Sequence, residues 1–203
     1  MLITYLDSLR VPRYKKMQVK NDNLDEENEF LCFRYHTWML SEDLRNLTAS
    51  EPLSLEEEYI MQQTWHLDEN KCTFIILDKE IYSQTKDEIG AMIGDTNFFF
   101  SNENEAFSAE AEIMIAEVAS QGKKRGWEAM LHMILYGIVF IHIKHFVVKI
   151  GESNSKSINM FLKMGFVTTK TVDVFNEITM ERDVDSNWIE WIKCQLPIHE
   201  VLN

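Results

Sequence analysis

A short basic turn is the part of this sequence whose residue types and spacing most clearly suggest chemistry. It runs Gln121-Gly122-Lys123-Lys124-Arg125-Gly126, after an alternating segment and before a long apolar one. The first turn of a helix has unbonded amides and the positive end of the helix dipole, so a strand–turn–helix unit can bind phosphate. The three basic residues would add charge at the same place. The turn therefore predicts a phosphate site, and a solvated basic turn without a ligand is the alternative.

The segments on either side predict the elements that position this turn. Ala109 to Ala116 alternates polar and apolar residues, which is typical of a half-exposed strand. Trp127 to His142 is apolar on nearly every face, which predicts a helix covered on both sides. His145 to Ile150 is a second apolar strand, and a short helix with a polar start follows it. Because a long crossover helix joins the two strands, we expect them to be parallel.

The later helix carries a second motif, Asn154-Ser155-Lys156-Ser157-Ile158-Asn159-Met160-Phe161-Leu162-Lys163-Met164-Gly165-Phe166. Together with the turn, this motif resembles the acetyl-CoA-binding core of the GNAT family of N-acetyltransferases. That family has a turn usually written Arg/Gln-x-x-Gly-x-Gly/Ala and a later helix that begins with Asn and ends in Gly-Phe. Upstream segments resemble one branch of the family, the tubulin N-acetyltransferases: Arg34 to Met39, Leu47 to Leu53, Asp68 to Ile75 and Met92 to Asp95.

The resemblance implies an α/β fold with a mixed, mostly antiparallel sheet flanked by helices, in which a parallel strand pair is splayed at the cofactor site. The acetyltransferase domain would span residues 34–182. Residues 1–33 would form an atypical amino-terminal segment, in which the first strand is reduced to residues 1–6 and the polar run from Lys15 to Glu29 is an inserted loop. Residues 183–203 would form a carboxyl-terminal tail.

The resemblance also implies which residues would contact acetyl-CoA, the co-substrate of this family. The pantetheine arm would bond to the strand before the turn, at Met114, Ile115 and Ala116, where a bulge frees amides. The pyrophosphate would lie on the amides of Gln121, Gly122, Lys123, Lys124, Arg125 and Gly126. Asn154 would contact the cofactor from the later helix, and Phe161 would pack beside it.

Glu110 and Glu112 are the candidates for a catalytic base. They share one face of the predicted strand and match acidic positions of the resembling branch. A partly buried carboxylate can have its pKa raised toward neutrality, so that it takes a proton from an amine directly or through a water. An exposed strand face without catalytic use is an equally open alternative. His132, on the apolar helix, is expected to be a packed residue, and we find no metal-ligand cluster or Ser-His-Asp set.

Two positions depart from the family pattern. The middle glycine of the turn is replaced by Lys124, at a place where backbone must approach phosphate and φ can be positive. Many members use a tyrosine in the later helix to protonate the leaving thiolate, and this chain has Phe161 there. With the altered amino-terminus, these departures support a second hypothesis: a catalytically weak or inactive protein that keeps the fold and binds a partner.

Charge and cysteine content bound the possible partners. The net charge is −13, but residues 121–170 contain eight Lys/Arg and two Asp/Glu, so this part carries +6 and the remainder −19. This distribution fits a polyanionic cofactor and argues against nucleic acid; the acidic remainder would attract a basic peptide or serve solubility.

Three cysteines without metal or redox spacing favour a reducing compartment. With no evident signal or membrane segment, we expect a cytoplasmic protein whose acceptor is a protein amine, by resemblance the amino-terminal residue of α- and β-tubulin.

The remaining segments predict the rest of the sheet and its covering helices. Tyr35 to Leu47 is expected to be helical, and Ser54 with Glu57 forms a capping box for a helix reaching Trp65. Strands are expected at residues 72–78, 91–100, 166–172 and 174–182, with a polar excursion at 78–88 and a turn at 101–105. Gly94 inside its strand indicates a bulge or close backbone approach. Trp188, Trp191 and Ile192 have helical spacing.

Overall fold

One mixed sheet organises the computed structural model, which describes residues 2–6, 24–100, 107–171 and 175–196. In the described part of the chain the sheet has seven strands in the order β1-β2-β3-β4-β5-β7-β6. The strands are β1 (Leu2–Leu6), β2 (Lys71–Asp78), β3 (Met92–Phe99), β4 (Ser108–Ile115), β5 (His145–Gly151), β6 (Val167–Lys170) and β7 (Glu177–Asp183). β1 pairs with β2 in parallel, β4 with β5 in parallel, and the other neighbours are antiparallel.

Helices cover both faces of this sheet. They are α1 (Leu24–Met39), α2 (Glu42–Thr48), α3 (Leu55–Leu67), α4 (Lys79–Thr85), α5 (Glu88–Ala91), α6 (Arg125–Tyr136), α7 (Ser155–Lys163) and α8 (Ser186–Gln195). The predicted fold class, a mixed and mostly antiparallel sheet flanked by helices, is confirmed. None of the helices that the structure describes is long and apolar enough to cross a membrane.

The parallel pair β4–β5 opens part of the way along its length. Only Ser108 to Glu110 pair with β5, opposite His145 to Val147. Beyond that point β4 continues beside β3 to Ile115, whereas β5 continues beside β7 to Gly151. α6 is the crossover that makes this pair parallel, as the apolar segment before it predicted. The expected splay at the carboxyl ends is therefore confirmed.

Each face of the sheet packs on its own helices. α6, α7 and α8 bury one face, and Phe98, Phe146, Phe166 and Trp188 are at the centre of that core. α1, α2 and α5 cover part of the other face through a second core that includes the following side chains: Trp38, Leu44, Ile75, Leu77, Met92 and Met114. The rest of that second face carries polar side chains, and it is the part of the sheet that bears on function.

The carboxyl-terminal residues belong to the main core. The α8 residues Trp188 and Ile192 are buried, as is Leu196 just after the helix. The Trp188 indole donates a 2.7 Å hydrogen bond to the carbonyl of Met164. The helical spacing of these residues predicted the helix correctly. Residues 184–196 thus include a packed helix and are not only a tail, and residues 197–203 lie outside the described part.

Two helical regions differ from the expectation. The helix predicted from Tyr35 to Leu47 is two helices, because Ser41 caps α2 by accepting a bond from the Leu44 amide. α1 already begins at Leu24, so the last part of the predicted inserted loop is helical, and the boundary at residue 33 falls inside a helix. Acidic residues suit a helix start, but this segment has no apolar stripe and therefore no periodic signal. Residues 15–23 lie outside the described part.

The polar excursion at 78–88 is also helical. Asp78 caps α4, accepting bonds from the amides of Glu80 and Ile81 at 2.9 and 3.3 Å. Asp87 caps α5 through the amide of Gly90. Helices of seven and four residues are defined by their caps more than by periodicity, so the composition looked like a loop. The capping box of Ser54 and Glu57 is confirmed, and the turn expected at 101–105 lies outside the described residues.

Candidate functional site

The backbone of β4 faces the gap left by the splay. The amide of Ala116 donates to the carbonyl of Ile93 at 2.8 Å, and that of Glu117 donates to the same oxygen at 3.1 Å. Two amides on one carbonyl are the bulge that the sequence placed at the end of this strand. Because peptide groups point alternately to either side of a strand, those of Ile113 and Ile115 point away from β3, into the gap.

This alternation changes which β4 residues can offer their peptide groups to the pantetheine arm. Of the three residues selected there, Ile115 faces the gap, whereas the peptide groups of Met114 and Ala116 are directed to β3. Ile113, which the sequence did not single out, takes a place in the gap. Which β4 residues direct their amide and carbonyl groups to β3 depends on the register between the two strands. No feature of the β4 sequence reveals that register.

The basic turn connects the open end of β4 to α6. The side-chain amide of Gln121 donates to the carbonyl of Ile115 at 2.9 Å and so ties the turn to the strand. Gly122 and Lys124 both have positive φ, at 72° and 62°. Lys123 and Lys124 are exposed, and α6 starts with Arg125. The arrangement gives free amides, positive side chains and a helix amino-terminus beside the splay, which is the geometry that binds phosphate.

Arg125 does not point to solvent as a phosphate ligand would. Its guanidinium Nη2 lies 3.1 Å from Asp78 Oδ2, and only 13% of the Arg125 side chain and 9% of the Asp78 side chain are exposed. The pair joins the start of α6 to the end of β2, 47 residues away in sequence. The pyrophosphate contact predicted for Arg125 is through its backbone amide and stays a prediction; the charge of its side chain, expected at the phosphate, is used in this ion pair, which holds the turn in place.

Lys124→Gly is expected to tighten acetyl-CoA binding several-fold. A non-glycine residue in the left-handed region costs about 1 kcal/mol, and its Cβ stands where the backbone would approach a phosphate. Glycine removes both the conformational cost and the Cβ atom, while Lys123 keeps a positive charge at the turn. Isothermal calorimetry with acetyl-CoA measures the change, and its salt dependence reports the phosphate contacts.

Lys124→Asn is the matched control for this variant. Asparagine keeps a Cβ but tolerates the left-handed conformation, so it separates backbone strain from obstruction by the side chain. If Lys124→Gly weakens binding in a salt-dependent manner, the lysine is itself a phosphate ligand and the expectation is wrong.

Two candidates from the later helix have structural roles. Asn154 caps α7, its Oδ1 accepting a 3.2 Å bond from the Ser157 amide. Phe161 is 2% exposed and stacks edge-on with Phe166, with ring centroids 5.1 Å apart. Gly126 lies against β4 and α7, since a Cβ there would sit 3.4 Å from Ile115 Cγ1 and 4.0 Å from Met160 Sδ. Phe161 is thus a core residue, and its ring offers no proton to a thiolate.

The two glutamates of β4 share a face but differ in environment. Glu110 Oε2 lies 2.6 Å from Lys149 Nζ on β5, and this hydrogen bond raises the pKa of Lys149. The Glu112 side chain reaches solvent, yet partial burial of its carboxyl, followed by the negative charges of Glu110 and Asp95, raises its pKa to about 7. A carboxyl that titrates near neutrality is suited to general base catalysis. Glu112 is therefore the stronger candidate of the two.

A buried polar group lies next to Glu112 on β3. Asn97 is paired with Glu112 across the two strands, and its amide donates to Asp95 Oδ2 at 2.8 Å. The Thr73 hydroxyl on β2 donates to Asn97 Oδ1 at 2.6 Å. Asp95 is 2% exposed, and burial raises its pKa to about 6 against the opposing effects of Asn97 and Lys71. We call the three carboxyl groups of Asp95, Glu110 and Glu112, together with the Asn97 amide that bonds to Asp95, the carboxylate cluster.

Sequence reasoning missed the buried half of this cluster. The signal was present, because Asp95, Thr96 and Asn97 interrupt a strand that is otherwise apolar. Charged residues are seldom buried without a specific partner or a function. Asp95 Oδ1 has no hydrogen-bond partner among the described residues. A buried carboxyl with one unbonded oxygen is a destabilising feature that sites of function commonly retain.

Asp95→Asn is expected to stabilise the protein above pH 6. Since the folded-state pKa of about 6 lies above the ordinary value of about 4, the carboxyl lowers stability progressively as pH rises between those values. Replacing it removes a penalty on the order of 3 kcal/mol. Thermal melting at pH 8 and pH 4 measures this, and we expect a clear rise in Tm at pH 8 with little difference at pH 4. An equal change at both pH values would show that packing, not ionisation, sets the effect.

Other titratable groups lie away from this cluster. His36 Nδ1 lies 3.3 Å from Glu58 Oε1, and burial raises the pKa of Glu58. His132 is buried in α6, so the expectation of a packed residue is confirmed, and burial lowers its pKa to about 4. In the parts of the chain that the structure describes, no group of three His, Cys, Asp or Glu side chains could hold a metal ion.

Comparisons with known sequences point to one family. The family model of the acetyltransferase (GNAT) domain matches residues 29–167. The chain is 47% identical over 169 residues to Alpha/beta-tubulin-N-acetyltransferase 9 of Drosophila melanogaster, covering 81% of this chain and 84% of that protein. It is 42% identical over 167 residues to the human protein of the same name, covering 81% of each. It is also 48% identical over 151 residues to the N-acetyltransferase 9-like protein of Nematostella vectensis, covering 74% of this chain and 76% of that protein.

Solved structures share the fold at low sequence identity. A spermidine N-acetyltransferase from Vibrio cholerae, determined in complex with CoA and spermine, superposes with a TM-score of 0.63 at 15% identity and covers 78% of this chain and 92% of that one. An uncharacterised protein from Bacillus halodurans superposes with a TM-score of 0.65 at 15% identity, covering 82% and 85%. At these identities the likeness establishes the architecture alone.

Proposed function

The chain belongs to the GNAT family of acetyltransferases and is an N-acetyltransferase, and from this premise we propose that it transfers the acetyl group of acetyl-CoA to the amino-terminal residue of a protein. The acceptor named by the relatives in Drosophila melanogaster and Homo sapiens is α/β-tubulin, and we propose the same acceptor here. The resulting enzyme would act in the cytoplasm, where tubulin is found.

The observation that carries the proposal is the splay of β4 from β5. The gap exposes the Ile113 peptide group and the Ile115 amide along one wall, and the turn from Gln121 to Gly126, whose Gln121 side chain bonds to the Ile115 carbonyl, closes its far end. An extended amide-containing arm can hydrogen-bond to such a wall as a further strand would. Lys123 and Lys124, with the amides at the start of α6, would hold the pyrophosphate. The bound thioester supplies the activated acetyl group.

Glu112 would remove the proton from the acceptor amine. A protein α-amino group has a pKa of about 8 and a lysine side chain about 10.4. Passing a proton to a carboxylate with a pKa of about 7 is thus uphill by roughly 1 kcal/mol from the first and roughly 4 to 5 kcal/mol from the second. A base of this strength favours an α-amine over an exposed lysine. The negative charges of Glu110 and Asp95 would also attract the cationic form of the acceptor.

The thiolate would leave without a proton from the later helix. Phe161 occupies that position and cannot donate one, and burial places its ring in the core. Free thiols have a pKa of about 8.5, so a thiolate is a tolerable leaving group near neutral pH. The chain is therefore expected to depend more on its base than on a general acid.

A matched pair of peptides tests the proposal. The purified chain is incubated with acetyl-CoA and a peptide of the first residues of α- or β-tubulin, and acetylation is measured by mass spectrometry. The second peptide is identical but has its amino-terminus already blocked. We expect acetylation of the first alone. Transfer to lysine in both peptides would contradict an amino-terminal specificity, and transfer to neither would contradict the proposed acceptor.

A weak or inactive member of the family is the second candidate. The observations in its favour are the left-handed conformation forced on Lys124 and the phenylalanine at position 161. Calorimetry with acetyl-CoA separates the two, because a protein kept only for its interaction surface has no need of the cofactor. Absence of binding by the unaltered chain and by Lys124→Gly would favour the second candidate.

A further inference from the structure

Lys71 is placed unlike any other described lysine. It starts β2, and its ammonium lies 3.2 Å from the ring centroid of Trp65 and 4.7 Å from that of Phe99. Two aromatic rings around one ammonium form the type of cage that recognises alkylammonium groups. The cage is therefore filled by a lysine of the chain itself.

The strand register places this cage in line with the opening of the splay. Lys71 is paired with Phe99 on β3, and Phe99 is paired with Glu110 on β4. Glu110 is also the last β4 residue that pairs with β5 before the two strands separate. Because alternate residues share a face, Glu112 lies on the same face as these side chains. The negative charges of Asp95 on β3 and Glu112 on β4 both act on the Lys71 ammonium, so the three groups lie near one another on this face.

We propose that Lys71 is a self-acetylation site, modified by the acetyl-CoA bound to the same chain. The inference rests on the proposed function, since it uses the same donor and the same base. The Lys71 nitrogen, as a free amine, attacks the thioester carbon. A nitrogen–carbon bond forms, the carbon–sulfur bond breaks with its electron pair leaving on the CoA thiolate, and the proton lost from nitrogen goes to the Glu112 carboxylate.

The surroundings of Lys71 keep its amine available for this step. Burial lowers its pKa to about 8, against the attraction of Asp95 on β3, Glu112 on β4 and Asp68 after α3. A larger fraction of Lys71 is thus uncharged at pH 8 than of a lysine whose pKa is raised. Lys149 is the contrasting case on the same face, since its hydrogen bond to Glu110 raises its pKa.

Acetylation would change the site as well as mark it. The product is a neutral amide, so the cage loses its resident cation and Asp95 and Glu112 lose an attractive charge. The cationic amine of a protein acceptor could then occupy the position near these carboxylates without repulsion from Lys71. Self-acetylation would in this way remove the positive charge that repels the acceptor amine from Asp95 and Glu112.

Labelled acetyl-CoA and peptide mapping test this inference on the full chain. The protein is incubated at pH 8 with acetyl-CoA carrying a heavy-isotope acetyl group, without peptide, and the label on each lysine is quantified. We expect Lys71 to gain label at least about tenfold faster than Lys149 or the exposed Lys86. The rate should saturate with acetyl-CoA, fall when free CoA is added, and be independent of protein concentration. Lys71→Arg should remove this label, and Glu112→Gln should slow it.

The outcomes distinguish this inference from the proposed function. A rate that rises linearly with acetyl-CoA, or equals that of the heat-unfolded chain, means chemical acetylation from solution and overturns the inference. Acetylation of the tubulin peptide with no label on Lys71 also overturns it, while the proposed function stands. Label on Lys71 with no peptide acetylation supports the inference and contradicts the proposed acceptor. No transfer to either overturns both.

Discussion

Glu112→Gln is expected to lower kcat for amine acetylation by about 10²- to 10⁴-fold, the usual contribution of a positioned general base. Glutamine has nearly the same shape, so the strand and its cross-strand contact with Asn97 should remain. The loss should fall on kcat more than on KM, because the proton is transferred only as the amine attacks. Steady-state kinetics with the free amino-terminal peptide measure both constants.

The pH profile gives the second readout of this variant. The base must be ionised to act, so the rate of the unaltered enzyme should rise with pH and level off above the Glu112 pKa of about 7. In Glu112→Gln this rising limb should disappear, leaving only the ionisation of the acceptor amine. A variant that loses rate but keeps the limb would point to another group as the base.

Glu110→Gln is the matched control. Glu110 is on the same strand face two residues earlier, but its carboxylate is held by Lys149 at 2.6 Å. Its removal alters local charge but leaves the Glu112 carboxyl in place, so we expect less than about a tenfold change in kcat, consistent with a partly exposed ion pair. An effect on Glu110→Gln equal to that on Glu112→Gln would mean that the two carboxylates act as one unit.

The sequence was sufficient for the elements that carry strong periodicity. The alternation before the turn, the apolar crossover helix and the capping signal at Ser54 each correspond to an observed element. These patterns reflect burial and hydrogen bonding within one segment, so they are visible without knowledge of the rest of the chain. The positive φ at Lys124 was also foreseeable, because a family pattern that requires glycine implies a backbone that requires it.

What the sequence could not reveal depends on contacts between distant segments. The side-chain charge of Arg125 appeared to be available to a phosphate, and only the position of Asp78 at the end of β2 shows that it is paired. Lys71, Asp95 and Glu112 lie on three strands, and their proximity follows from the register of β2 with β3 and of β3 with β4. A shift of one residue would send each of these side chains to the opposite face. The candidate site was therefore half predictable: its β4 glutamates and turn were, and its β2 and β3 members were not.

Lys124 and Gly122 together show how the turn adapts to the loss of the family glycine. Both have positive φ, and the Gly122 position is surrounded by open space, since a Cβ added there would have no atom within 4 Å. The turn thus keeps a left-handed conformation at residue 124 as well as at residue 122. The departure affects conformational energy by about 1 kcal/mol and leaves the overall path of the turn intact, which is consistent with a functional member of the family.

Gly94→Ala is expected to have the largest effect on stability. A Cβ at this position would lie 1.9 Å from the carbonyl oxygen of Met114 and 3.0 Å from Ile115 Cα. Both are backbone atoms of β4, so no rotation of a side chain can relieve the clash, and β3 and β4 must separate where Gly94 faces Ile115. We expect a loss of at least about 3 kcal/mol, at the upper end of overpacking effects, and a fall in Tm of about 10 °C for a chain of this size.

Gly151→Ala provides the control for this substitution, because nothing lies within 4 Å of the corresponding Cβ at the end of β5. It should stay within about 0.5 kcal/mol of the unaltered chain, as expected for a surface change. Gly94→Ala should also weaken acetyl-CoA binding, since the Ile115 peptide group that faces the splay is displaced together with the strand. Thermal melting and calorimetry on the two variants measure these effects. A Gly94→Ala protein with an unchanged Tm would show that β4 moves freely at Met114, and the proposed cofactor wall at Ile113 and Ile115 would then not be a rigid one.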